Sequence, residues 1–322
     1  MGRTVLVTGV SRYLGGRMAA LLAADPGISS VIGVDVVVPD SPISGTEFVR
    51  ADIRNPVIAK VMGEAGVDTV VHMGVIATPK QAGGRSTMKE INVIGTMQLL
   101  AACQRTSSVR SVVVKSTAAV YGSGPKDPAK FTEDMEPKHT PSSGWAKDSV
   151  EVETYVRGFA RRRPDVTVTT LRFASFIGPR VQTATGAYFS LPVIPTVLGF
   201  DPRMQFIHED DGLEAIRCAV LRPRRGTYNI AGDGVLLLSQ AIRRTRRATI
   251  AVPRLFFSTV GRSLGTTGLA DFSPEAVRHL TYGRGLDTTA MRQILGFEPA
   301  WTSEEAFMQF LRRDDAREVA VA

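Results

Sequence analysis

Cysteine is scarce in this chain: Cys103 and Cys218 are the only two in 322 residues. Both fall in helix-like stretches, 98–104 and 213–221, so a disulfide scaffold is excluded and two buried, reduced thiols are expected. No apolar run approaches the roughly 20 residues that cross a bilayer. No basic, apolar leader precedes the first strand, so a cytoplasmic protein is expected. There is no metal-ligand spacing, internal repeat or low-complexity tract, and a metal site is not expected. Acid is outnumbered by base, for a net charge of +8. The excess gathers at 161–163, 222–225, 243–247 and 312–313. No aromatic interleaving or recognisable nucleic-acid module accompanies these arginines, so they read as solvated faces plus one anionic-ligand site.

The hydrophobic content of 43% and charged content of 22% suit a globular protein with a sizeable core. Its organising stretch is 3–16. Residues 4–7 are a short β-branched run that reads as a buried parallel strand. Gly9 opens a tight turn, and residues 13–24 carry apolar side chains at helical spacing. Strand, glycine turn and helix in that order collect backbone N–H groups and a positive helix end at one point, which binds phosphate. The next strand, 31–34, ends in Asp35, an acidic residue suited to a ribose diol. Gly9 and Gly15 are present, but Arg12 stands where a middle glycine would let backbone approach a pyrophosphate closely.

Strand-like and helix-like segments alternate through the first half, which argues for a parallel sheet with helices on both faces. Strands are expected at 46–49, 69–72, 109–115 and 166–172. Helices are expected at 58–65, 89–104 and 143–162, with a proline-rich and charged surface loop at 125–142. After 176–179 the texture becomes irregular. Short strands at 205–208 and 227–230 follow, with helices at 211–221, 236–247, 256–264, 273–280 and 287–295 and a turn at 251–253. The apolar helix 256–264 is read as packing on the second lobe, with a subunit or membrane contact as the alternative.

In order and spacing these pieces resemble the extended short-chain dehydrogenase/reductase superfamily, in its NAD-dependent epimerase/dehydratase branch and near its 4-epimerase-like actinobacterial members. The carriers are Thr8 and Gly9 through Gly15, Asp35, Asp52 with Ile53, the 71–74 segment, Asn92 through Thr96, Ser116 and Thr117 through Gly122, Lys147, Leu171 and Arg172 through Pro179, 205–208 with Asp211, Tyr228 with Asn229, and Asp287 through Phe297. The resemblance implies a Rossmann-like doubly wound α/β domain over 1–175 plus 205–232. A smaller C-terminal α+β substrate lobe would come from 176–204 and 233–322. It further implies NAD as cofactor, held by Gly9, Ser11, Arg12, Tyr13, Leu14, Gly15, Asp35, Asp52, Ile53, Met73, Gly74, Asn92, Ser116, Lys147 and Phe173. A nucleotide-sugar-like substrate is implied, and a homodimer through helices 89–104 and 143–162.

The family performs its chemistry with a hydroxyl residue, a tyrosine and a lysine. The phenolate takes a hydroxyl proton, the ammonium lowers the phenol pKa, and the hydroxyl residue steadies the reacting oxygen. Thr117 and Lys147 match two of these positions, but Ser143 stands at the tyrosine. A serine hydroxyl is shorter and far less acidic than a phenol of pKa about 10. Three readings stay open. Another group such as Tyr121 takes the proton; the protein binds dinucleotide without turnover as a regulatory or scaffold protein; or a shuttle such as His139 serves. Asp35 favours NAD, because a 2′-phosphate there would meet like charge, whereas Arg12 resembles the arginine that contacts NADP in classical reductases. Substrate contacts are expected from Ser175, Arg180, Arg203 and Arg284, since guanidinium suits phosphate.

Overall fold

The computed structural model describes residues 2–73, 83–264 and 270–321. The first half runs β1 (Arg3–Thr8), α1 (Tyr13–Ala23), β2 (Ile28–Asp35), β3 (Thr46–Arg50), α2 (Val57–Glu64) and β4 (Thr69–His72). Next come α3 (Arg85–Lys89), α4 (Thr96–Arg105), β5 (Ser111–Thr117), α5 (Gly144–Arg162), β6 (Thr167–Phe173) and β7 (Ser175–Ile177). The later elements are α6 (Ala184–Phe189), β8 (Val193–Val197), β9 (Arg203–Met204), β10 (Phe206–His208), α7 (Glu209–Leu221) and β11 (Gly226–Ile230). The chain then passes through β12 (Leu236–Leu237), α8 (Leu238–Thr245), β13 (Ala248–Val252), α9 (Phe257–Leu264), α10 (Pro274–Tyr282) and α11 (Ser303–Val321).

Seven parallel strands form one sheet in the order β11-β6-β5-β4-β1-β2-β3. Val5, Leu6 and Val7 of β1 are fully buried. A central parallel strand is covered by helices on both faces, so it needs an unbroken apolar run rather than alternation. From β1 the chain winds outward to β3, then returns to the opposite side of β1 to place β4. That reversal opens a crevice at the carboxyl ends of β1 and β4, where doubly wound sheets bind ligands.

One core, on the α1 and α7 side of the sheet, includes Met18, Leu22, Ile216 and Val220 and takes in Met291, Leu295 and Phe297 from near the C-terminus. The opposite core includes Leu99, Val152 and Phe159 from α4 and α5. A third core belongs to the later residues and is built around Phe189, Phe206, Phe257 and Phe307, all fully buried. Cys103 and Cys218 are both buried and unbridged.

Three expectations change. The 89–104 helix is interrupted by a π-turn at Glu90–Gly95, where the Thr96 hydroxyl donates to the Asn92 carbonyl at 2.6 Å. Of the expected turn at 251–253, Ala251 and Val252 instead end strand β13, which pairs with β8. Of the 287–295 helix, only 289–295 is helical, most of it as a π-turn at Met291–Leu295. For β13 the tertiary partner β8, absent from local pattern, overrides the turn signal.

Candidate active site

The α1 N-terminus is built by close approach. Gly9 has φ of 74°, and a Cβ on Gly15 would lie 2.1 Å from the Gly9 carbonyl oxygen. Only glycine at both positions lets helix and turn meet so tightly. The helix starts after Arg12 with no side-chain cap, so its first N–H groups face the crevice available to an anion. Asp35 is stitched to this turn, its carboxylate accepting the Ser11 N–H at 3.1 Å and the Val37 N–H at 3.2 Å. The Arg12 guanidinium lies near Asp35, and burial lowers its pKa while the carboxylate opposes that shift. Turn, uncapped helix and fixed carboxylate fit the pyrophosphate and ribose of a dinucleotide.

From there a single cleft of about 1140 Å³ runs past the ends of β5 and β6 to α10 and Arg284. Gly9, Ser11, Arg12, Tyr13, Leu14, Gly15, Asp35, Asp52, Met73, Ser116 and Phe173 line it, as do Thr117, Ser175, Arg180 and Arg284. Thr117 accepts the Ala119 N–H at 3.1 Å, which leaves its hydroxyl hydrogen for a ligand. Ser116 instead donates at 2.6 Å to buried Glu153. Asp52 is committed to Arg54, which contacts both its oxygens and holds its pKa down.

Several expected residues lie elsewhere. Ile53 is not on the cleft; it packs where a Cβ on Gly95 would sit, 2.8 Å from its Cδ1. Asn92 is fully buried and donates to Asp148 at 3.3 Å. Arg203 is exposed on β9 and offers only its carbonyl toward Arg284. Gly74 falls outside the described residues. His139 is exposed and off the cleft.

Of the expected catalytic residues, Thr117 lines the cleft, while Ser143, Lys147 and Tyr121 do not. Ser143 is the residue before α5, with its hydroxyl buried and without a hydrogen-bond partner. Lys147 is exposed and does not line the cleft. The inner face of α5 is pinned instead by Asp148, fully buried and gripped by Arg85 at 2.6 and 2.7 Å. That register aims Trp145 and Ala146 into the cleft and leaves Lys147 in solvent. Tyr121 is also off the cleft. It is 1% exposed, stacks on Phe131 at 4.7 Å, donates to Asn229 at 2.8 Å and accepts from Arg172 at 2.7 Å. Desolvation raises its pKa, the wrong direction for a proton acceptor.

The cleft does contain phenols, Tyr13 and Tyr188, but their hydroxyls donate to Glu209 and to the Pro195 carbonyl. Both phenol pKa values are raised, chiefly by burial. What the cleft has instead is Lys115. On β5, Val114 and Ser116 are buried, while Lys115 and Thr117 alternate with them and both line the cleft. Two residues apart on a strand, they share a face. Burial, reinforced by the charge of Arg12, pulls the Lys115 pKa down to about 8. Its Nζ lies 5.7 Å from the Phe176 ring centroid.

At the far end, His279 lines the cleft with Nδ1 unpartnered, and burial holds its pKa at about 3, so it is a neutral imidazole. Arg284 donates to the Gly122 carbonyl at 2.8 Å and to the Ser123 hydroxyl at 3.1 Å, with its pKa lowered to about 10 by burial. Glu209 is a further residue that sequence reasoning missed. Buried at 1% exposure, it accepts the N–H groups of Arg180 and Val181 and the Tyr13 hydroxyl, tying the cleft's 178–181 segment to α1. The two-residue spacing of Lys115 and Thr117 was the available signal for Lys115. Nothing local marked His279 or Glu209.

Comparison with known proteins agrees with this geometry. Residues 5–231 match the model of the NAD dependent epimerase/dehydratase family. A protein of Mycobacterium tuberculosis, itself uncharacterised, is 46% identical over 314 residues, covering 96% of this chain and 84% of that one. The UDP-glucose 4-epimerase of Mycolicibacterium smegmatis is 26% identical over 319 residues, 91% of this chain and 93% of its own. The crystal structure of a UDP-glucuronic acid 4-epimerase from Bacillus cereus, in complex with UDP-glucuronic acid and NAD, superposes with a TM-score of 0.73. It covers 98% of this chain and 99% of its own at 17% identity, which is a likeness of fold. With its sheet, glycine turn and cleft in that order, the chain belongs to the NAD dependent epimerase/dehydratase family.

Proposed function

We propose that this protein is an NAD-dependent oxidoreductase acting on a hydroxyl/keto position of a nucleotide sugar, with Lys115 and Thr117 in place of the usual phenol. The observation that carries the reading is the single cleft joining the Asp35 turn, the β5 end and Arg284. The uncapped α1 terminus and Arg12 would hold the pyrophosphate, and Asp35 the ribose diol. Asp35 is held in place by two backbone N–H groups, so a 2′-phosphate would meet a fixed negative charge; this favours NAD over NADP. A bound nicotinamide supplies hydride acceptance and return. The chain's own residues handle the proton. The Thr117 hydroxyl donates to the reacting oxygen, and the neutral Lys115 amine takes the hydroxyl proton, becomes ammonium and returns the proton in the reverse step. Arg180 and Arg284 face the diphosphate, and His279 offers a neutral ring nitrogen to the sugar. The family's homodimer through α4 and α5 belongs to the same reading.

The sign of the pH dependence follows from the lowered pKa. Above about 8 the Lys115 amine is neutral and accepts a proton; below it the amine is already charged. Alcohol oxidation is therefore expected to rise with pH through about 8 and then level off. Lys115→Met is expected to lower turnover on a nucleotide-sugar panel by about 10²–10⁴-fold and to remove that inflection. NAD affinity, read by calorimetry, is expected to remain. Unchanged turnover and pH profile in Lys115→Met would remove Lys115 from the mechanism. Absence of NAD binding by the unaltered protein would sink the whole reading.

A second reading, a dinucleotide-binding regulatory or scaffold protein, is favoured by one observation: Ser143 and Lys147 both lie off the cleft. It predicts tight NAD binding with no interconversion over the whole panel.

A further inference from the structure

From Gly234 to Ala270 the sequence contains neither aspartate nor glutamate but six arginines, at 243, 244, 246, 247, 254 and 262. The described part of this segment forms a surface unrelated to the cleft. Arg243 and Arg246 are exposed at the end of α8, and the whole of β13 is exposed except Val252. β13 pairs only with β8 among the described strands. Beyond it, Leu255 is 92% and Phe256 61% exposed, and Leu198 across the pair is 58% exposed. Phe200 and Tyr282 meet edge-on at 5.7 Å, with the Arg254 guanidinium 5.6 Å from the Tyr282 ring. Phe257, the next residue, is fully buried and anchors α9 to the core of the second lobe. An anchored support thus presents aliphatic and aromatic side chains outward among arginines.

We propose that this surface, from Arg243 to Phe256 with Leu198, docks the protein on an anionic lipid bilayer. Arginines seek the negative headgroups, while protruding Leu255 and Phe256 reach the acyl boundary. Two alternatives fit less well. A second copy of the chain packed through this face would set arginines against arginines across a two-fold axis with no carboxylate in the segment to pair them. Single-stranded nucleic acid is gripped by exposed stacking rings, whereas the most exposed side chain here is a leucine. The inference is independent of the reaction proposed above.

Cosedimentation of the full chain with vesicles of phosphatidylcholine alone, and of phosphatidylcholine with phosphatidylglycerol, tests it. Binding is expected only with phosphatidylglycerol and is expected to fall as salt rises. Arg243→Gln with Arg246→Gln is expected to weaken it by about thirtyfold. Leu255→Ser with Phe256→Ser is expected to weaken it comparably, with the thermal midpoint unchanged in both. The proposal is overturned if the unaltered protein ignores anionic vesicles, or binds neutral ones equally. It is overturned too if the same substitutions dissolve a dimer by light scattering, or abolish binding to nucleic acid while vesicle binding is absent.

Discussion

Glu153→Leu is expected to destabilise the protein by about 3–5 kcal/mol, read from the urea midpoint at constant slope, because it strands a buried guanidinium. Arg172 donates to both Glu153 oxygens, at 2.7 Å through Nη2, and the two side chains are 11% and 5% exposed. The same carboxylate accepts the Ser116 hydroxyl at 2.6 Å, and Arg172 continues to the Tyr121 hydroxyl and the Glu133 carbonyl. Tyr121 passes the chain on to Asn229 of β11. One network therefore clamps β5, β6, β11 and α5 beneath the cleft. The Arg172 pKa is raised far above its ordinary value: its own desolvation acts against this, and the hydrogen bonds and charge of Glu153 outweigh it. Glu153→Leu combined with Arg172→Leu is expected to lose much less than the sum of the two singles, since no charge is then left unpaired. A Glu153→Leu loss below about 1 kcal/mol would show the pair to be dispensable.

Gly15→Val is expected to weaken dinucleotide binding on the order of a hundredfold and to unfold the protein at lower temperature. A Cβ at this position lies 2.1 Å from the Gly9 carbonyl oxygen and 2.7 Å from its carbon, both main-chain atoms that no rotamer change relieves. The helix must retreat from the turn. Overpacking of this kind costs about 1–3 kcal/mol. A shift near 1 Å in the N–H cradle would weaken the NAD complex on the order of a hundredfold. Gly63→Ala in α2 is the matched control, because a Cβ there has nothing within 4 Å. It is expected to stabilise by about 0.5–1 kcal/mol through helix propensity and to leave NAD affinity unchanged. Equal NAD affinity in Gly15→Val and the unaltered protein would show that the turn is not the phosphate cradle.

Much of the first half was legible in the sequence. β1, β2, β4, β5 and β6 are rich in β-branched residues and lie between turn residues, and strands buried on both faces leave that pattern whatever their neighbours. Gly9, Gly15 and Asp35 were legible for a related reason. Each answers a local requirement: a positive φ, a close approach, a carboxylate at the end of a strand. The second half of the chain was less legible. β13 is almost wholly exposed and carries no burial pattern to betray it, and its pairing with β8 joins segments some fifty residues apart.

By itself the sequence raised the expectation that Ser143 stands at the family's tyrosine position, a match read along the chain without coordinates. It also determined the acid-free arginine segment. Only the tertiary structure decided that Lys147 points to solvent and that Tyr121 is walled in by Arg172, Asn229 and Phe131. Matching a motif places a residue in order along a helix. The side of that helix facing the cleft is set by what pins it, here buried Asp148 and its grip on Arg85. Strand alternation likewise puts Lys115 on the cleft, on one face with Thr117 at the open end of β5.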